Sequence, residues 1–120
     1  MAYKYFSDAE ISCNCGCGQK IENESLIEHL TLARVNANIP FVISSWNRCN
    51  THNHNVGGSA TSSHLTGKAV DITYKNNVDA FKIVNSLMAV GFKRIGINFK
   101  KKFVHVDVSA DKISPILFSY

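Results

Sequence analysis

The sequence predicts an α+β domain: a small antiparallel sheet packed with helices. Three observations carry this. Apolar residues recur at helical spacing in two stretches, 23–36 and 77–90. Short β-forming runs stand between and after them, at 41–44, 68–74, 94–99 and 103–108. The last two runs are joined by Lys100, Lys101 and Lys102, the polar turn of a hairpin. Elements of both kinds in mixed order, closing on a hairpin, favour an antiparallel sheet over a wound parallel one. The 120 residues suit a single domain spanning 1–120, with no internal repeat and no linker. A chain of this size buries roughly two-thirds of its unfolded surface, so it needs no disulfide to fold.

Each element has its own signal. Ser7 followed by Glu10 is a capping box that can start a short helix. The stretch from Cys13 to Gly18 is too rich in glycine for regular structure and reads as a loop. Asn23 is the N-cap of the next helix, whose apolar set is Leu26, Ile27, Leu30, Ala33 and Val35. Pro40 ends that segment, and 41–44 reads as a short buried strand. Residues 46–60 are loop-like, rich in Asn, His, Ser and Gly, with one helical turn around 51–55. After the strand at 68–74, the second helix turns Val78, Phe81, Ile83, Val84, Leu87 and Met88 inward, and Gly91 closes it. On the last strand Val104, Val106 and Val108 take the buried face, and His105 and Asp107 share the other.

Composition narrows the partners. Thirteen basic against nine acidic residues give a mild net charge of +4. The lysine cluster reads as a solvated turn, and no nucleic-acid partner is expected. No run approaches the roughly 18 apolar residues of a membrane span. The N-terminal start lacks the apolar core of a signal peptide. The expectation is therefore a monomer made in the cytoplasm, with no membrane partner. Cys13, Cys15, Cys17 and Cys49 do not show the spacing of a zinc ribbon. They read as buried free thiols, or as one bridge from the loop to Cys49, with a second, structural metal site as a third option.

The chemistry is concentrated in two motifs. The first is Ser62-x-His64-x-x-Gly67-x-Ala69-x-Asp71, and the second is Val104-His105-Val106-Asp107. A histidine and an aspartate on one face of an otherwise apolar strand are costly to bury without partners. Two histidines and a carboxylate can give three ligands to one metal ion, and a fourth position left open marks a catalytic rather than a structural zinc site. Gly67 and Ala69 keep the surroundings small, which would let a substrate backbone approach closely. The same ligand types also describe non-haem iron oxygenases, but those use a larger jelly roll than 120 residues with two helices readily provide.

These motifs resemble the zinc D-Ala-D-Ala carboxypeptidase family, peptidase M15, and in particular its short phage-type branch. The ten-residue motif ending at Asp71 matches the family's S-x-H-x-x-G-x-A-x-D. The Cys-x-Cys-Gly loop, Ser45-Trp46-Asn47-Arg48-Cys49, the His52-Asn53 pair, Val56-Gly57-Gly58 and the Val104–Asp107 strand follow in that branch's order. The resemblance implies that His64, Asp71 and His105 bind Zn²⁺ on the small α+β fold shared with the hedgehog signalling domain. It also implies hydrolysis of amide bonds in peptidoglycan stem peptides. Relatives act as D,D-carboxypeptidases or as endolysins that cut L-Ala-D-Glu bonds, on the wall after release or as virion components. Zinc polarises the scissile carbonyl and lowers the pKa of its water to about 7, and a carboxylate must then move the proton.

Two departures stand out. Much of the family carries Glu-x-x-His, but the residue three before His105 is Lys102. Another branch has His-x-His, but here that position is Phe103. Asp107 is left as the expected general base, or else as the acceptor that orients a ligand histidine. Arg48 falls at the arginine of the family's S-G-Y-R segment, where a guanidinium can grip a carboxylate or an oxyanion in catalysis and substrate binding. Ser62 is read as substrate-binding or as a loop cap. His29 is read as surface, His52 as bracing the loop with Asn53, and His54 as a lone loop histidine. The competing reading is a non-catalytic zinc-binding or virion-assembly domain on the same fold.

Overall fold

The alternation read in the last strand extends across a whole sheet. The computed structural model describes residues 4–120; residues 1–3, part of the start read for a signal peptide, lie outside the described residues. Strands β1 (Val42–Ser45), β2 (Ala69–Thr73), β3 (Arg94–Asn98), β4 (Phe103–Asp107) and β5 (Ile116–Ser119) form one sheet in the order β1-β2-β4-β3-β5. The first three pairings are antiparallel, as expected, and the β3–β4 hairpin closes through the lysine turn. Strand β5, which the sequence reading did not foresee, adds parallel to β3. It is short, and Ile116, Leu117 and Phe118 run consecutively, so it carries no alternation of its own.

One face of the sheet is the core. Val70, Ile72, Ile95, Val104 and Val106 are buried there against α2 (Glu24–Ala37) and α4 (Asn77–Ala89). Helix α2 starts where Asn23 Oδ1 accepts the Leu26 N–H at 3.1 Å and buries Leu26, Ile27, Leu30 and Ala33. Val35 falls off that stripe and is exposed. Helix α4 begins at Asn76, whose side chain accepts the Asp79 N–H at 2.9 Å. The short helix α1 (Asp8–Ile11) forms the expected capping box between Ser7 and Glu10. Among the described residues no helix is long and apolar enough to cross a membrane.

Three expectations need correcting. Helix α4 turns Ala80, Ile83, Ser86 and Leu87 inward, while Val78, Phe81 and Met88 are exposed. The helix carries more apolar residues than a single stripe can hold, and spacing alone chose the wrong edge of the set. Strand β1 lies at the sheet's edge, so Phe41 is buried before it begins but Val42 faces solvent. Val108 lies past the end of β4 and is exposed, whereas Ser109 is buried.

The stability of α4 mutants separates the two assignments. Ile83→Ala should cost about 2–5 kcal/mol in denaturant unfolding. Phe81→Ala should stay within about 0.5 kcal/mol of the parent, and a loss for Phe81→Ala comparable to that for Ile83→Ala would reverse the packing described.

Candidate metal centre

Register builds the site. On the face away from the helices, β4 lies between β2 and β3 so that Asp71 and Gly96 are paired with His105, and Ala69 and Arg94 with Asp107. Paired side chains share a face. Two adjacent rows therefore cross the sheet, one through Asp71, His105 and Gly96, the other through Ala69, Asp107 and Arg94.

His64 arrives from outside the sheet. A 3₁₀ turn, Ser63–Thr66, presents it, and Ser62 Oγ caps the turn by accepting the His64 N–H at 3.2 Å. That is the capping alternative for Ser62. Gly67 ends the turn in the left-handed region, φ +68°, which favours glycine. A Cβ there would lie 2.6 Å from the Ile21 carbonyl oxygen and 2.9 Å from Asn47 Oδ1. The small size of Gly67 therefore serves packing against the N-terminal segment.

His64 Nδ1 donates to the Trp46 carbonyl at 2.7 Å, which leaves Nε2 facing Asp71 Oδ1 at 3.3 Å. Trp46 is fully buried, edge-on to Phe6, and its indole N–H reaches the Gly67 carbonyl at 3.3 Å. Trp46, at the glycine position of the S-G-Y-R segment, thus works inward, fixing both the carbonyl that orients His64 and the end of its turn.

Asp71 Oδ1 also lies 2.9 Å from His105 Nδ1. His64, Asp71 and His105 are all buried, and their ligand atoms lie within 4.8 Å of one another. Ligands about 2.0–2.1 Å from a tetrahedral zinc stand roughly 3.4 Å apart. Two imidazole nitrogens and one carboxylate oxygen at these separations fit that ion, with a fourth position left to water or substrate. The chemistry of the donor set is therefore compatible with zinc.

Arg48 stands beside this trio. Its Nη2 is 3.6 Å from Asp71 Oδ2, its Nε donates to Ser45 Oγ at 3.1 Å, and its Nη1 donates to Asn53 Oδ1 at 3.2 Å. The side chain is 16% exposed, which makes it a held group rather than a solvated one. Asn53 is braced in turn by donating to the Ser59 carbonyl at 2.8 Å, and a Cβ on Gly58 would strike its amide. His29, His52 and His54 do not join the trio.

Asp107 lies on the far side of the His105 ring. Its Oδ2 faces His105 Nε2 at 2.8 Å, while Oδ1 accepts from Arg94 Nε at 2.7 Å and from the Ser109 N–H at 3.1 Å. Both oxygens are engaged, and the imidazole separates them from Asp71. Arg94 was not found by sequence reasoning, although its place opposite Asp107 in the hairpin register was a usable signal. Phe118 of β5 was missed as well. Its ring lies 5.8 Å from that of His105 and occupies the space a Cβ on Gly96 would need.

Electrostatics follow from these contacts. Burial alone would raise the Asp71 carboxyl, but hydrogen bonds and charge from His105 and His64 hold it down to about 2. Burial opposes a charge on His105, yet Asp107 and Asp71 raise its pKa. Asp107 is pushed well below the usual carboxylate range despite burial, by His105, the Ser109 N–H and Arg94.

The family model for Peptidase M15 matches residues 4–107. The chain belongs to the peptidase M15 family. The matched span of this M15 chain takes in Arg48, His64, Asp71, His105 and Asp107 and stops before β5. No curated protein matches the chain. Lys102, at the glutamate position of many M15 members, is exposed in the hairpin turn with φ +57°. Elsewhere in the M15 chain, Cys13, Cys15, Cys17 and Cys49 converge as free thiols, one of the alternatives read from the sequence, but only Cys13 is buried, while Cys15 and Cys17 are exposed.

The depressed Asp71 pKa has a measurable consequence in metal-free protein. A lowered carboxylate stabilises the fold above its unfolded pKa of about 3.9, and that stabilisation is lost as pH falls from there toward 2. Wild-type unfolding free energy should drop by about 2 kcal/mol more than that of Asp71→Asn over this window. Parallel pH profiles for the two proteins would contradict the contacts described for Asp71.

Proposed function

We propose that this chain is a zinc-dependent peptidase that hydrolyses amide bonds in peptidoglycan stem peptides, of the D,D-carboxypeptidase or L-Ala-D-Glu endopeptidase type. The observation that carries the reading is the open donor trio of His64, Asp71 and His105 with Arg48 beside it, in an M15 chain. Zinc held by the trio would polarise the scissile carbonyl and lower the pKa of its water to about 7. Peptidoglycan stem peptides are the partner, met at the cell wall after release or from a virion.

The chain's own groups then have distinct roles. Trp46, through its carbonyl, fixes the His64 tautomer that leaves Nε2 free to hold an ion. Arg48 offers its guanidinium to a substrate carboxylate or to the developing oxyanion. Asp107 is read as the carboxylate that holds His105 in place rather than as the base that takes a proton from water, since its oxygens are turned to Arg94, Ser109 and His105. Ser62 is read as the cap of the His64 turn rather than as a substrate ligand.

A second reading is a zinc-binding or virion-assembly domain without turnover. It is favoured by two placements: Asp107 is engaged on both oxygens, and Lys102 occupies the usual glutamate position.

Digestion of purified peptidoglycan by the zinc-loaded protein separates the two readings. Mass spectrometry of the products should show new amine and carboxyl ends at one amide of the stem peptide, absent after chelation and restored by zinc. Stoichiometric zinc with no amide cut would refute the peptidase and leave the second reading.

The role of Asp107 has its own readout. Asp107→Asn should weaken zinc affinity about 10- to 100-fold, with turnover largely recovered at saturating zinc. Unchanged zinc affinity with turnover abolished would restore Asp107 as the base.

A further inference from the structure

The four cysteines lie outside the site described above and are not used by it. Their sulfurs form a compact group. Cys13 and Cys15 are 3.4 Å apart, Cys15 and Cys49 3.6 Å, and Cys13 and Cys49 3.9 Å. Cys17 completes the set, with all four Sγ atoms within 4.8 Å of one another. Four thiolates about 2.3 Å from one tetrahedral zinc stand roughly 3.8 Å apart. A disulfide would need about 2.05 Å. The observed spacing is too long for sulfurs sharing a bond and fits thiolates gathered around one ion.

The backbone is shaped for this arrangement. In an extended chain, cysteines at every second position would line one side but stand about 7 Å apart along it. Here Gly16, with φ +83°, folds the segment back, and its N–H donates to the Cys13 carbonyl at 3.3 Å. The loop is pinned by Cys13 N–H to the Gln19 carbonyl at 2.9 Å and by Asn14 Nδ2 to the Ser44 carbonyl at 2.8 Å. Two sulfurs also receive backbone N–H groups: Cys13 from Cys49 at 3.4 Å and Cys49 from His52 at 3.4 Å. Such donors spread the negative charge of metal-bound thiolates.

We propose that Cys13, Cys15, Cys17 and Cys49 form a second metal site, a closed tetrathiolate that takes Zn²⁺. Four protein ligands leave no position for substrate, so the site is structural where the histidine–aspartate trio is open. Cys15 and Cys17 are exposed and give the ion a way in. Binding releases thiol protons to solvent, so affinity falls as pH is lowered. Cys49 follows Arg48 directly and is the N-cap of α3 (Asn50–Asn55), whose Asn53 holds the Arg48 guanidinium. The ion thereby ties the N-terminal loop to the segment that carries Arg48.

Cobalt substitution of the full chain, prepared under reducing conditions, tests this. Folded wild-type protein should bind two Co²⁺ and show a sulfur-to-cobalt charge-transfer band in the near ultraviolet with intense tetrahedral bands in the visible. Cys15→Ser and Cys17→Ser should each lose most of the charge-transfer intensity. His64→Ala should keep it while binding one ion fewer, so failure of the trio and failure of the cysteine site read differently. The four thiols should react with a disulfide reagent at least tenfold more slowly in the metal-loaded wild type than after chelation. Wild-type protein that binds Co²⁺ without the charge-transfer band, or whose thiols react equally fast with and without metal, would overturn the proposal whether or not the variants fold.

Discussion

The register of β4 between its two neighbours is the constraint on which the site depends. Pairing Asp71 with His105 and Arg94 with Asp107 brings four charged or titratable side chains into two adjacent rows. A slip of one residue in β4 would turn His105 and Asp107 into the helix-packed core and put Val104 and Val106 on the polar face. The core prevents this, because Val70, Ile72, Ile95, Val104 and Val106 must meet α2 and α4 together. Hydrophobic packing on one face therefore sets the donor geometry on the other.

What the sequence made legible was whatever depends on local pattern. The hairpin, both long helices and the Asn23 cap follow from residues within one turn or one strand of each other. The histidine–aspartate trio was readable because motif spacing and strand alternation carry it. Arg94 and Phe118 were not, since their roles arise from cross-strand register and from β5, a short strand that joins β3 in parallel. The inward set of α4 was misread for a different reason. With Val78, Phe81 and Met88 all apolar, the periodicity has no polar boundary to mark where the buried stripe ends. The place of Asp107 behind His105 was also hidden, because sharing a strand face does not say which side of a ring a carboxylate will occupy.

The loop before the first motif shows the reverse dependence, of a site on residues that never touch it. Trp46 is buried against Phe6 in the core, yet its carbonyl orients His64 and its indole holds the Gly67 carbonyl. Asn47 reaches from the same segment to the Ile11 and Ile21 carbonyls. The N-terminal segment is thus part of the frame that holds His64, and the two motifs could not be assembled from the sheet alone.

The alternation of Arg48, Asp71, His105, Asp107 and Arg94 along one line has a consequence for long-range attraction. The two guanidinium charges cancel the two carboxylates, so the polar cluster is neutral when its histidines are neutral. A divalent ion in the trio would then act on its surroundings with its charge uncompensated. Under the proposed function that field would draw anionic peptide termini toward the trio. Long-range capture of substrate would then be a property of the ion's unbalanced charge, sensitive to ionic strength, while Arg48 acts at contact distance.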